Sequence, residues 1–157
     1  MQNKTRHGKW LALAGLAGLA MILTISARGQ GQVSPAFEGT WRVEVVQEQG
    51  PPANALHTYS QGGAMVESNT LGPTTAHGVW QRIGPRTFAT TFERFVFDPS
   101  VPFRKARIRE VIEVDRDFGT FTGRAQVLLF DGNGNLIATD CARSRGTRMA
   151  VEAPACP

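Results

Sequence analysis

The chain has 157 residues, 17 Lys and Arg against 13 Asp and Glu, a formal charge of +4 and two cysteines. That length suits one domain with one core, and a charge this small gives no support to a nucleic-acid partner. Glycine and proline, with 17 and 9 copies, are spread along the chain and mark many short turns, with no long linker, repeat or low-complexity tract.

The first element reads as a targeting signal. Lys4, Arg6, His7 and Lys9 form a basic start, and Trp10 to Ile25 is apolar or small except for Thr24. Ser26 and Ala27 then offer small residues for cleavage. The apolar run is shorter than the roughly 20 residues that span a bilayer, which favours cleavage near Ala27 over a retained anchor. No Cys follows the run, so lipid attachment at a new N-terminal Cys is excluded. Residues 1–27 carry Lys4, Arg6 and Lys9 and no acid, so the mature chain falls to about +1. The expected organisation is a signal peptide over 1–27, a linker over 28–36, a barrel over 37–152 and a tail over 153–157. The expected location is periplasmic or secreted, with no membrane span after cleavage.

Past the signal no segment sustains a 3.6-residue apolar period, whereas alternation with period two recurs between Gly, Pro, Asn and Asp. The first strand is expected over Gly39–Gln47, with Trp41, Val43 and Val45 on one face. The second spans about Ala55–Ser60, and the third, after Gln61-Gly62-Gly63, spans Ala64–Asn69. The fourth covers about His77–Ile83. The fifth, Arg86–Phe97, carries Phe88, Phe92, Phe95 and Phe97, and the change of aromatic parity after Phe92 predicts a bulge or a strand apolar on both faces. Asp98-Pro99-Ser100-Val101-Pro102 breaks the chain. The sixth strand, Lys105–Asp115, aligns Ile108, Glu110, Ile112 and Val114. The seventh, Thr120–Phe130, aligns Phe121, Ala125, Val127 and Leu129. A turn at Asp131–Asn135 leads into the eighth, Leu136 to about Arg145, which continues past an irregularity at Gly146 towards Val151. Eight sequential strands with short connections predict an all-β, antiparallel up-and-down barrel, a closure that leaves no sheet edge and holds one small ligand. The competing architecture is an open sandwich of two sheets.

The motifs Gly39-Thr40-Trp41 and Gly146-Thr147-Arg148, with His77-Gly78-Val79-Trp80 and Thr87-Phe88-Ala89-Thr90-Thr91-Phe92 between them, resemble those of small exported bacterial lipocalin-like (calycin) barrels. The resemblance implies that Trp41 closes the barrel floor with Arg148 packed across its face, a structural cation–π pair. The chain departs from the larger secreted lipocalins in having no recognisable helix after the last strand. It also lacks the Thr-Asp-Tyr motif at its expected place: Thr139-Asp140 is followed by Cys141.

Most candidate chemistry fails on its residues. Asp131-Gly132-Asn133-Gly134-Asn135 starts like a calcium loop, but Leu136 stands where Gly is needed and Ala142 where a bidentate Glu is needed. His57 and His77 have no third ligand at metal spacing and read as exposed or partner-bonded, so neither metal nor cofactor is expected. No Gly-x-Ser-x-Gly elbow or phosphate-binding loop is present. Arg104, Lys105, Arg107 and Arg109 read as a solvated outer face, with an anion or anionic-lipid site as the alternative. Cys141 and Cys156, in an oxidising compartment, most simply form a disulfide, which would constrain the unfolded chain by about 3 kcal/mol.

The position that stands out is Glu110, between Ile108 and Ile112 on the expected lumen face. A buried carboxyl must be paired or raised in pKa. Asp140 shares inward parity, and Tyr59, Trp80, Phe92 and Phe95 are expected to wall a cavity with Glu110. The expected function is binding of a small apolar or amphipathic molecule. The alternatives are a cyclase or isomerase using Glu110 as acid or base, and a filled structural or interaction barrel. A one-residue slip of register would turn Glu110 outward, towards water or a pairing with Arg94 or Arg109.

Overall fold

The computed structural model describes residues 37–96 and 104–155. The expected signal peptide and linker, Phe97, the break at Asp98–Pro102 and Cys156 lie outside the described residues.

Eight strands follow in chain order: β1 (Gly39–Gln47), β2 (Ala53–Tyr59), β3 (Ala64–Asn69), β4 (Ala76–Arg82), β5 (Thr87–Val96), β6 (Arg104–Val114), β7 (Thr120–Phe130) and β8 (Leu136–Arg148). Each pairs antiparallel with its neighbours in sequence, and β1 pairs with β8, which closes the barrel. The open sandwich is thereby set aside. Alternation accounts for the shape: in β6, Ala106, Ile108, Glu110, Ile112 and Val114 are buried, while Arg109, Val111 and Glu113 between them are exposed. Among the described residues no helix is long and apolar enough to cross a membrane.

One end of the barrel is packed solid. Trp41, Tyr59, Met65, Trp80, Phe88 and Phe121 point inward there, and Phe37, ahead of β1, is driven into the middle of them with no exposed surface. Its ring stacks on Phe88 at 4.0 Å and 10° and meets Tyr59 at 4.4 Å. The Trp41 Nε1–H donates to the Phe37 carbonyl at 3.1 Å. The Arg148 guanidinium lies 4.3 Å from the Trp41 ring centroid. It also donates from Nε to the Phe118 carbonyl at 2.8 Å and from an Nη to the Glu38 carbonyl. A desolvated cation–π contact is worth up to about 2 kcal/mol. Here it also ties the segment before β1, the β6–β7 turn and the end of β8 into one floor.

Three inward glycines set the internal shape through space rather than backbone freedom. A Cβ at Gly78 would strike Phe92, one at Gly146 would strike the Phe121 ring, and one at Gly123 would strike Ser144 and Glu110. Gly146 is therefore a regular strand position, paired with Val43 and Phe121, and the expected irregularity is absent. β8 runs unbroken to Arg148 and stops there. Of the two alternatives for β5, a bulge or a strand apolar on both faces, the second holds: its pairing with β6 runs without a shift from Thr87–Glu113 to Val96–Arg104. The strand simply alternates, so Phe92 faces in at 4% exposure and Phe95, three residues on, faces out at 51%. Among the described residues the one register shift lies between β7 and β8, at Leu129 and Phe130.

Candidate functional site

The other half of the barrel is not filled. It encloses a cavity of about 50 Å³ that extends to the end where Gln47 and Leu71 stand. Larger hollows, of about 630 and 670 Å³, lie on the outer wall and are lined by exposed residues such as Glu44, Arg124 and Arg145 in one and Arg42 and Leu56 in the other. The inner cavity combines an apolar wall of Val45, Phe92, Ile108 and Val127 with a concentrated polar group: His57, Glu67, Asn69, Arg94, Glu110 and Ser144.

Glu110 reaches this cavity from the middle of β6, and its carboxyl accepts a hydrogen bond from Ser144 Oγ. β6 and β8 are separated by β7, so this bond crosses a strand. It forms because β7 presents Gly123 and Ala125 beneath it, two residues too small to intervene. Burial drives the Glu110 carboxyl up from its ordinary 4.5 to about 7; the Ser144 bond pulls the other way, and the neighbouring Glu67 charge pushes it up again. Glu67, on β3, is 5% exposed. Its Oε1 accepts from Asn69 Nδ2 at 2.6 Å, while its Oε2 is buried without a partner. Its pKa is raised by burial against the lowering effects of Asn69 and of the Arg94 charge.

His57, on β2, sits directly across from Glu67 on one side and Trp41 on the other. It is 2% exposed, its Nδ1 is 3.1 Å from the Tyr59 hydroxyl, and its Nε2 is buried without a partner. Burial lowers its pKa from 6.5 to about 4, so the ring is neutral at ordinary pH. The Tyr59 hydroxyl is pushed well above its ordinary value by burial, then by the Glu110 and Glu67 charges. Buried polar atoms without partners are uncommon and costly, roughly 1–3 kcal/mol each. Here His57 Nε2 and Glu67 Oε2 belong to residues lining one small chamber, and Arg94, whose Nε is also unpartnered, lines it as well.

The expected site residues separate. Phe92 and Glu110 line the chamber. Tyr59 stands behind it, bonded to His57. Trp80 belongs to the packed floor, where it meets Phe37 and Phe88 and donates to the Ser60 carbonyl at 3.1 Å. Phe95 points outward and walls nothing inside the barrel. Asp140 has inward parity but sits at the rim, accepting from the Gln49 backbone N–H at 3.3 Å. Glu110 neither faces water nor pairs with Arg94 or Arg109. Cys141 is exposed. The basic run is an outer face in part tied down: Lys105 and Arg107 both reach Glu93, at 3.2 and 2.6 Å. Among the described residues no group of three His, Cys, Asp or Glu side chains is placed to hold a metal ion.

The sequence did not single out Glu67 or Arg94 as lining residues; His57, expected to be exposed or partner-bonded, is bonded to Tyr59 and lines the chamber with them. The available signal was parity: His57 alternates with Ala55 and Tyr59, and Glu67 with Met65, on the buried face of short strands.

Fold and site together define a closed eight-stranded antiparallel barrel, plugged at one end and carrying a small polar chamber at the other. A similar solved structure is EF1p2_mFAP2b bound to DFHBI, at 20% identity and a TM-score of 0.56 over 73% of this chain and 94% of that one. At that identity the likeness shows the fold. No protein-family model and no curated protein matches the chain.

Proposed function

We propose that this is an exported lipocalin-like binding protein whose barrel takes a small amphipathic molecule, its polar head in the chamber beside Glu110, Glu67 and His57. The observation that carries the reading is the pair of unpartnered buried atoms, His57 Nε2 and Glu67 Oε2, on the walls of one cavity. A few placed polar groups within an apolar wall are how small-molecule sites are built. At about 50 Å³ the chamber suits a head group of a few heavy atoms, with an apolar body lying between Val45, Val127 and Leu71 at the mouth. The likeness to a barrel bound to DFHBI is in keeping with a guest in such a fold. Titration of the barrel with short-chain amphipaths, followed by tryptophan fluorescence and by the amide spectra of β2, β3 and β6, tests it. Saturable shifts centred on His57, Glu67 and Glu110 are expected; an unchanged spectrum across alcohols, acids and amines contradicts it.

Export rests on the basic, apolar and small-residue order of residues 1–27, and intact-mass measurement of the secreted or periplasmic protein should give a chain starting near residue 28. The same sample, mapped without reduction, should show the Cys141 and Cys156 peptides linked.

A second reading, a barrel enzyme using Glu110 as acid or base, is favoured by one observation. Glu110 is inward, fully buried and raised to about 7, a value matched to proton transfer near neutral pH. Carbon-13 titration of the Glu110 carboxyl tests this; titration near 4.5 removes the role.

A further inference from the structure

The chamber's charge balance narrows the class of guest, on the reading that the chamber is the binding site. With both acids ionised, Glu67 and Glu110 outnumber Arg94, the one cation on the wall among the described residues. Arg94 acts on Glu67, not on Glu110. The groups left without partners include a carboxylate oxygen, Glu67 Oε2, a neutral ring nitrogen, His57 Nε2, which accepts when Nδ1–H donates to Tyr59, and one donor, Arg94 Nε. Ser144 donates its hydroxyl to Glu110, and Asn69 donates one of its two amide N–H groups to Glu67. With both acids ionised, the polar end of the chamber thus carries one more negative than positive charge. Apolar side chains surround it, so water compensates the charge poorly.

An ammonium group is the complement: three donors, no acceptor and one positive charge. An alcohol supplies one donor and leaves the charge unbalanced. A carboxylate would meet two like charges and has only Arg94 to answer it. We infer that the head group this barrel accepts is a primary ammonium on an apolar body, taken up in exchange for the proton of Glu110. The exchange balances: the protonated Glu110 carboxyl releases one proton to solvent, and its carboxylate pairs with the entering ammonium. No bond other than O–H breaks.

The groups facing Glu110 across the lumen are His57 and Tyr59 from β2, Glu67 from β3 and Arg94 from β5; β7 and β8 bring Gly123, Ala125, Val127, Ala142 and Ser144, none of them titratable. Of these, His57 is already neutral and Tyr59 protonated across the working range, so Glu110, with Glu67 coupled to it, sets the pH dependence.

Calorimetric titration of the protein with hexylammonium, hexanol and hexanoate tests the assignment. An alkylammonium resembles the Lys head group, which titrates near about 10.4, and stays charged throughout. At pH 8 hexylammonium should bind at least about tenfold tighter than the other two probes. Its affinity should fall at least about tenfold at pH 5, with proton release seen as a dependence on buffer ionisation heat. Glu110→Gln should remove both the preference and the pH dependence while hexanol binding persists; Glu67→Gln should weaken the amine and move the midpoint of its pH dependence down, since the Glu67 charge raises the Glu110 carboxyl. Hexanol or hexanoate binding as tightly as the amine overturns this inference and leaves the binding barrel standing. Failure of all three probes to bind overturns both.

Discussion

Glu110→Gln removes one titration and little else, because glutamine matches glutamate in shape and its carbonyl can still accept from Ser144. The carboxyl titrates at its ordinary 4.5 in the unfolded chain and at about 7 in the barrel, chiefly because burial penalises the charged form. Between those values the folded state holds more protons than the unfolded state. Stability from this group is therefore full below about pH 4.5 and is lost as pH rises through about 7. A gap of roughly 2.5 pH units at 1.36 kcal/mol per unit gives about 3 kcal/mol. The variant should be near wild type at pH 4 and about 3 kcal/mol more stable at pH 8.

His57 supplies a built-in contrast. Its pKa is lowered by burial from 6.5 to about 4, so the unfolded chain binds the extra proton and stability rises with pH across that window. The His57 term opposes the Glu110 term over about pH 4.5 to 6.5, while the raised Glu67 carboxyl adds to the Glu110 side in both proteins. Relative to wild type, the stability of Glu110→Gln should therefore climb across that interval. Urea unfolding of both proteins at pH 4, 5, 6, 7 and 8, followed by tryptophan fluorescence, reads the difference. A stability gap that stays constant with pH would refute the claim that Glu110 is buried and proton-linked.

Further expectations follow from the floor and the glycines. Phe37→Ala empties the centre of an aromatic cluster and should cost about 3–5 kcal/mol in chemical denaturation. Arg148→Ala loses the Trp41 contact and two hydrogen bonds to carbonyls and should cost about 2–4 kcal/mol; Arg148→Lys, without the planar fork, should recover less than half of it in the same assay. Gly123→Ala places a methyl against Ser144 and Glu110. It should cost about 1–3 kcal/mol and shift the carbon-13 titration of Glu110, whereas Gly132→Ala, in the exposed β7–β8 turn, should leave that titration unchanged.

The barrel was legible in the sequence because alternation survives wherever one face of a strand is buried. β1, β3 and β7 begin and end where the alternating run meets its turn residues, and parity alone turns Glu110 inward with Ile108 and Ile112. The Trp41–Arg148 floor was legible through a resemblance, since nothing local says that residues so far apart in the chain will meet. Phe95 was misread because its aromatic character was given more weight than its parity. It stands three residues from Phe92, which in an unbroken strand puts it on the other face. The meeting of His57 with Glu67 was not legible for a different reason. A polar residue in a short strand becomes notable only when cross-strand register places it beside another, and the alignment of Trp41, His57 and Glu67 exists only in the closed sheet. The same holds for Gly78, Gly123 and Gly146, whose role is the space they leave for side chains of other strands.

The central claim is that the polar chamber beneath Gln47 and Leu71 holds a small guest. Native mass spectrometry of the protein purified from its own source, without denaturation, tests this most directly. The account predicts a discrete added mass that leaves on gentle activation and is absent from Glu110→Gln prepared the same way. A wild-type protein of bare polypeptide mass, unshifted by any amphipathic amine, acid or alcohol added in excess, would contradict it.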